Sequence, residues 1–121
     1  MLKFPSDLPI DKAGFLKAVK ILLVEDSRSI GIENRRALVE AGYEVIWAED
    51  GESALRLARE QIPDLILLDL LLPRIGGMDV LRSLKRDMAT CRIPVVVVSG
   101  LSEKNRQLLI GTGLAIVWKG A

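Results

Sequence analysis

Three carboxylates, one hydroxyl and one ammonium each stand at the end of an apolar run in this chain. Glu25 and Asp26 follow Ile21-Leu22-Leu23-Val24, and Asp69 follows Leu65-Ile66-Leu67-Leu68. Ser99 follows Val95-Val96-Val97-Val98, and Lys119 follows Ala115-Ile116-Val117-Trp118. A carboxylate beyond four apolar residues is poorly solvated unless something positive lies near it. Three acids brought to one place repel one another, and a hard cation held by oxygens, such as Mg2+, relieves that repulsion. A cation and an ammonium can neutralise phosphoryl oxygens and a hydroxyl can donate to one, so the set suits phosphoryl chemistry. Each residue also has an everyday reading. Asp69 can cap a turn, Asp26 can cap the helix that follows, Ser99 can be a satisfied turn hydroxyl and Lys119 a surface lysine. The cap reading leaves Glu25 unexplained, and the recurrence of such residues at successive strand ends favours a shared site.

The elements that must position these residues follow from the hydrophobic pattern. Runs that are apolar on both faces belong to a parallel sheet covered by helices on each side, and ligands bind beyond the carboxyl ends of its strands. Tyr43 to Ala48 reads as a further strand, with Val45 and Trp47 alternating against Glu44. A helix is expected from Ser27 to Ala41, with Ile30, Ala37, Leu38 and Ala41 facing inward and Gly42 ending it. Asp50 caps a second helix carrying Ala54, Leu55 and Ala58, which ends before Pro63. Met78, Leu81 and Leu84 mark a third, and Ser102 caps a fourth from Glu103 to about Ile110. Trp47 and Trp118 read as packing residues. Residues 1–19 form an N-terminal extension in which Asp11 caps a short helix with Phe15, Leu16 and Val19 on one face. Strand and helix alternate over 20–121, which calls for one α/β domain with right-handed crossovers.

Composition removes several classes of function. Half of the 121 residues are apolar, enough to bury a core. Seventeen basic residues against sixteen acidic ones leave no basic field to hold nucleic acid. Histidine is absent, which excludes a serine–histidine pair and the common histidine-bearing zinc sites. Cys91 is the single cysteine, so no internal disulfide forms, in keeping with a reducing cytoplasm. The apolar stretches are too short to span a membrane, and the N-terminus lacks the pattern of a secretory signal.

The chain resembles the receiver domain of two-component response regulators. The resemblance lies in Lys20-Ile-Leu-Leu-Val-Glu-Asp-Ser27, Pro63-Asp-Leu-Ile-Leu-Leu-Asp-Leu-Leu-Leu-Pro73, Ile93-Pro-Val-Val-Val-Val-Ser-Gly100 and Lys119, and covers about residues 20 to 119. It implies a flavodoxin-like, doubly wound sheet of five parallel strands in the order 2-1-3-4-5. It implies that Asp69 accepts a phosphoryl group as an acyl phosphate. Asp26 would bind Mg2+ directly, Glu25 directly or through water, and Asp69 and the backbone carbonyl of Leu71 would complete the protein ligands. Ser99 would contact the phosphoryl group beside Gly100, and Lys119 would pair with the phosphoaspartate. The donor would be a histidine kinase or phosphotransfer protein, necessarily another polypeptide. Phosphorylation would bias a two-state surface near Ser102 to Trp118, read by a downstream protein partner or an output domain outside this chain. Beyond self-phosphorylation from a donor and slow self-dephosphorylation, no enzyme activity is implied.

Three features depart from the family's pattern. Gly120 follows the lysine where proline is usual. The aromatic residue expected a few positions before it falls on Ile116, with Trp118 in place only under a shifted register. The family's last helix would begin beyond Ala121, so residues 11–19 or a homodimer contact are expected to cover that face, or else the chain is a fragment of a longer protein. These departures keep open a receiver-like interaction module that works without phosphate. A phosphatase of the haloacid dehalogenase type needs a second aspartate two residues after the first, where Leu71 stands. A nucleotide-binding flavodoxin-like domain needs a glycine-rich loop where Glu25-Asp26-Ser27-Arg28 stands.

Overall fold

The computed structural model describes residues 18–69, 72, 76–99 and 115–118, with 98–99 and 115–118 by backbone alone. The elements in chain order are β1 (Lys20–Val24), α1 (Arg28–Glu40), β2 (Glu44–Ala48), α2 (Gly51–Gln61), β3 (Leu65–Asp69), α3 (Gly77–Arg86), β4 (Val95–Ser99) and β5 (Ala115–Trp118). The five strands form one parallel sheet in the order β2-β1-β3-β4-β5, as expected. Lys119, Leu71, Gly100 and the expected helix at 103–110 lie outside the described residues.

Burial explains this order. β1 and β3 are apolar on both faces and occupy the interior of the sheet, whereas β2 begins on exposed Glu44 and takes an edge. Leu22, Val24, Ile66, Leu68, Val95 and Val97 point to one face and join α2 and α3 in a single core. Ala54 and Ala58 are fully buried, so α2 lies close on the sheet. From α3 come Val80, Leu81 and Leu84. Asp64 fixes where β1 and β3 start, because its carboxylate accepts from the Lys20 amide at 2.8 Å while its own amide donates to the Lys20 carbonyl at 2.8 Å. That pairing sets Ile21 beside Leu65 and Val24 beside Leu68.

α2 starts as expected, with Asp50 accepting from the Ser53 amide at 2.7 Å. α1 ends as expected at Gly42, whose φ of 98° allows Gly42 and Tyr43 to donate back to Val39 and Leu38, each at 3.0 Å. The inward face of α1 differs from expectation. Ile30, Ala37 and Ala41 are exposed, while Gly31 is buried and Leu38 half-buried. The cause is Trp47, whose indole lies under the helix where only glycine fits: a Cβ on Gly31 would fall inside the ring atoms of Trp47. The expected helix over 11–19 also needs correction at its end. Ala18 and Val19 are not helical, and the Val19 carbonyl accepts from Glu44 at 2.9 Å, extending the β1–β2 pairing. Residues 11–17 lie outside the described residues.

Candidate functional site

All five strands run in one direction, so their carboxyl ends share one edge of the sheet. Val24 pairs with Leu68, and the next residues, Glu25 and Asp69, therefore leave the sheet side by side. Asp69 is also the registered partner of Val98 on β4, with Ser99 one step further at that strand's end. β5 pairs with β4 through Ser99 and Trp118, which brings the last strand's end to the same edge.

The three acids expected to act together do converge. One carboxylate oxygen from each of Glu25, Asp26 and Asp69 lies within 4.8 Å of the others. Glu25 is 2% exposed and Asp69 5%, whereas Asp26 is open to solvent. Two buried carboxylates and a third at the rim bring three like charges together in a medium that screens them weakly. The donors are all oxygens and all anionic, which fits a hard divalent cation such as Mg2+ rather than a soft metal. Asp26 is free for this role because Ser27, not Asp26, caps α1: the Ser27 hydroxyl accepts from the Ile30 amide at 3.4 Å. The first turn of α1 carries no acid of its own, so the positive end of its dipole lies beside the cluster and favours negative charge there.

Backbone bonds hold the acid pair in place. The Glu25 amide donates to the Ala48 carbonyl at 3.0 Å, continuing the β1–β2 ladder one residue past β1. The Glu25 carbonyl accepts from the indole Nε1 of Trp47 at 2.8 Å. Packing is the role expected of Trp47 from its sequence, and the structure adds this hydrogen bond to it. The pattern that marks it as a strand residue carries no sign of which donor its ring will serve. The Ser99 backbone lies at the end of β4, and Lys119 and the Leu71 carbonyl lie outside the described residues.

Comparison with known proteins agrees with this architecture. The model of the response regulator receiver domain family matches residues 21–114. The polar-differentiation response regulator DivK of Brucella ovis is 40% identical over 94 residues, 77% of this chain and 76% of that protein. The phosphorylated cyanobacterial phytochrome response regulator RcpA superposes with a TM-score of 0.73 at 32% identity, covering 87% of this chain and 83% of that one. The N-terminal domain of a response regulator receiver protein from Methanoculleus marisnigri JR1 gives a TM-score of 0.74 at 30% identity, covering 84% and 85%. No helix among the described residues is long and apolar enough to cross a membrane. A parallel sheet in the order 2-1-3-4-5, three acids gathered at its carboxyl edge and a family match across most of the chain lead to one assignment: this chain belongs to the response regulator receiver domain family of two-component signalling.

Proposed function

We propose that this receiver accepts a phosphoryl group on Asp69, with Mg2+ held by Glu25, Asp26, Asp69 and the backbone carbonyl of Leu71. The observation that carries this reading is the convergence of the three carboxylates, two of them buried, at the end of β1 and β3. A structural role alone does not explain two buried acids beside a third, because burial of like charges costs stability. The donor is a phosphohistidine on a histidine kinase or phosphotransfer protein. An Asp69 oxygen attacks the phosphorus in line. A P–O bond forms as the P–N bond breaks, and the imidazole leaves and takes up a proton. Mg2+, when bound, supplies positive charge against the phosphoryl oxygens. Ser99, from the end of β4, donates its hydroxyl to a phosphoryl oxygen, and Lys119 offers a point charge to another. Water later attacks the phosphorus of the acyl phosphate, returning the Asp69 carboxylate and inorganic phosphate. The chain performs no other catalysis, and the phosphorylated state is read by a downstream protein partner.

Intact-protein mass after incubation with acetyl phosphate, with and without Mg2+, tests this directly beside Asp69→Asn. The expected result is a gain of one phosphoryl group that requires both Mg2+ and Asp69. No gain in a folded chain overturns the reading and leaves a receiver-like interaction module that works without phosphate.

A further inference from the structure

The Glu25–Asp26 pair is flanked by two structural supports, and both rest on the same side chain. On the N-terminal side, Glu25 is fixed to β2 twice: its amide donates to Ala48, and its carbonyl accepts from the Trp47 indole at 2.8 Å. At the next rung beyond the end of β1, a side chain of β2 thus supplies the donor. On the C-terminal side, α1 is capped by Ser27 and closes its first turn with Gly31 donating to the Ser27 carbonyl at 2.8 Å. Gly31 is the residue by which α1 rests on the indole, with no room for a Cβ between them. Asp26 therefore sits between a peptide hydrogen-bonded to Trp47 and a helix turn packed on Trp47.

The geometry points to Trp47 as the positioning residue of the acidic site, setting the angle at which Glu25 and Asp26 present their carboxylates to a divalent cation. This rests on the Mg2+ site proposed above and adds to it a residue that touches neither cation nor phosphoryl group. Groups that orient metal ligands through a hydrogen bond change metal affinity by about 10–100-fold when removed. The Glu25 carbonyl belongs to the peptide that joins the two acids, so losing its donor loosens that peptide and the direction in which both side chains leave it. Gly31 is the second half of the device. A methyl group there lifts α1 off the ring, or tilts the ring away from the Glu25 carbonyl.

Calorimetric Mg2+ titration of the 121-residue chain tests the assignment. Trp47→Phe keeps a ring under α1 and removes the N–H, and Gly31→Ala keeps the N–H and disturbs the approach. Val45→Ala, on the same strand and face, is the control for packing alone. Both Trp47→Phe and Gly31→Ala are expected to weaken Mg2+ binding by about tenfold, with Val45→Ala unchanged in affinity despite lower stability. Equal affinity in wild type and Trp47→Phe overturns the inference, as does an equal loss in Val45→Ala. Wild-type protein that takes up no Mg2+ overturns the inference together with the site it rests on. Should Trp47→Phe prove unfolded, the wild type still answers. The Trp47 indole N–H resonance, assigned against Trp118→Phe, should move along the Mg2+ binding curve, and a stationary resonance overturns the inference.

Discussion

At the scale of single residues, one position among the described residues outside the site departs from the conformation its side chain prefers. Ile62 closes α2 in the left-handed region, at φ 42° and ψ 67°, with its amide still donating to Ala58. A β-branched residue there crowds its own backbone, at about 1–2 kcal/mol. Its side chain is half exposed, so little burial offsets that cost. Glycine relieves the crowding but gives back part of the gain through a more flexible unfolded chain. Ile62→Gly is therefore expected to stabilise the fold by about 0.5–1 kcal/mol. Urea unfolding measures this, and a lower midpoint for the variant refutes it. The acids at 25, 26 and 69 were legible at this scale because each apolar run has one length and one polar stop, and parallel strands put all such stops at one edge. The asparagine- or glycine-free end of α2 was not, since Ile62 reads as an ordinary apolar residue before Pro63. The proline that follows favours extended backbone at residue 62, so it does not foretell the left-handed conformation found there.

At the scale of elements, α2 and α3 are joined at the end of the sheet away from the acids. The turn after α3 is built on Asp87, which accepts from the Ala89 amide at 2.9 Å and from Arg59 of α2 at 2.9 and 2.6 Å. Thr90 then closes the helix end by donating its hydroxyl to the Leu84 carbonyl at 2.7 Å. The Ala89 amide first, and then the Arg59 guanidinium, hold the Asp87 carboxyl below its ordinary value of 3.8. A carboxyl lowered on folding binds its proton more readily in the unfolded chain. Its stabilisation is therefore complete well above 3.8 and is lost as pH falls below that value toward the folded one. Asp87→Asn should be less stable than wild type at neutral pH, and the gap should narrow on acidification to about pH 3. Denaturant unfolding at the two pH values checks the sign, and a gap that widens in acid contradicts it. Element existence was readable here: Asp50 and Gly42 mark helix ends by chemistry that acts within a few residues. The rotation of α1 was not readable, because periodicity favours Ile30 over a glycine as a core residue. The choice is made instead by an indole from β2, a contact across sixteen positions of sequence from Gly31 to Trp47 that no local pattern encodes.

At the scale of the whole molecule, the sheet that gives the fold its core also gathers charge at one end. Leu22, Val24, Ile66 and Leu68 are almost fully buried, and the strands they belong to deliver Glu25 and Asp69 into the same buried edge. Along β1 and β3 the apolar residues favour the sheet, while the acids that end these strands bring like charges together. Two like charges about 4 Å apart near a protein surface cost on the order of 1–4 kcal/mol, depending on how much water reaches them. Removing one should help the fold when no cation is present, and Asp26 is the acid to choose because it is exposed and needs no burial of the replacement. Asp26→Asn is expected to raise the melting temperature in the absence of divalent cations. A cation that binds only the folded chain adds about 2.7 kcal/mol at a hundredfold excess over its dissociation constant. Mg2+ should therefore stabilise wild type by that amount and the variant by much less, so that the order of the two melting temperatures reverses as Mg2+ is added. Thermal unfolding across a Mg2+ series reads both halves. A variant less stable than wild type without Mg2+ would show that the acids do not strain the empty site, and parallel curves would show that Asp26 does not hold the cation. A crossing of the two curves is the signature of a charge cluster kept at a cost to stability for the cation it binds.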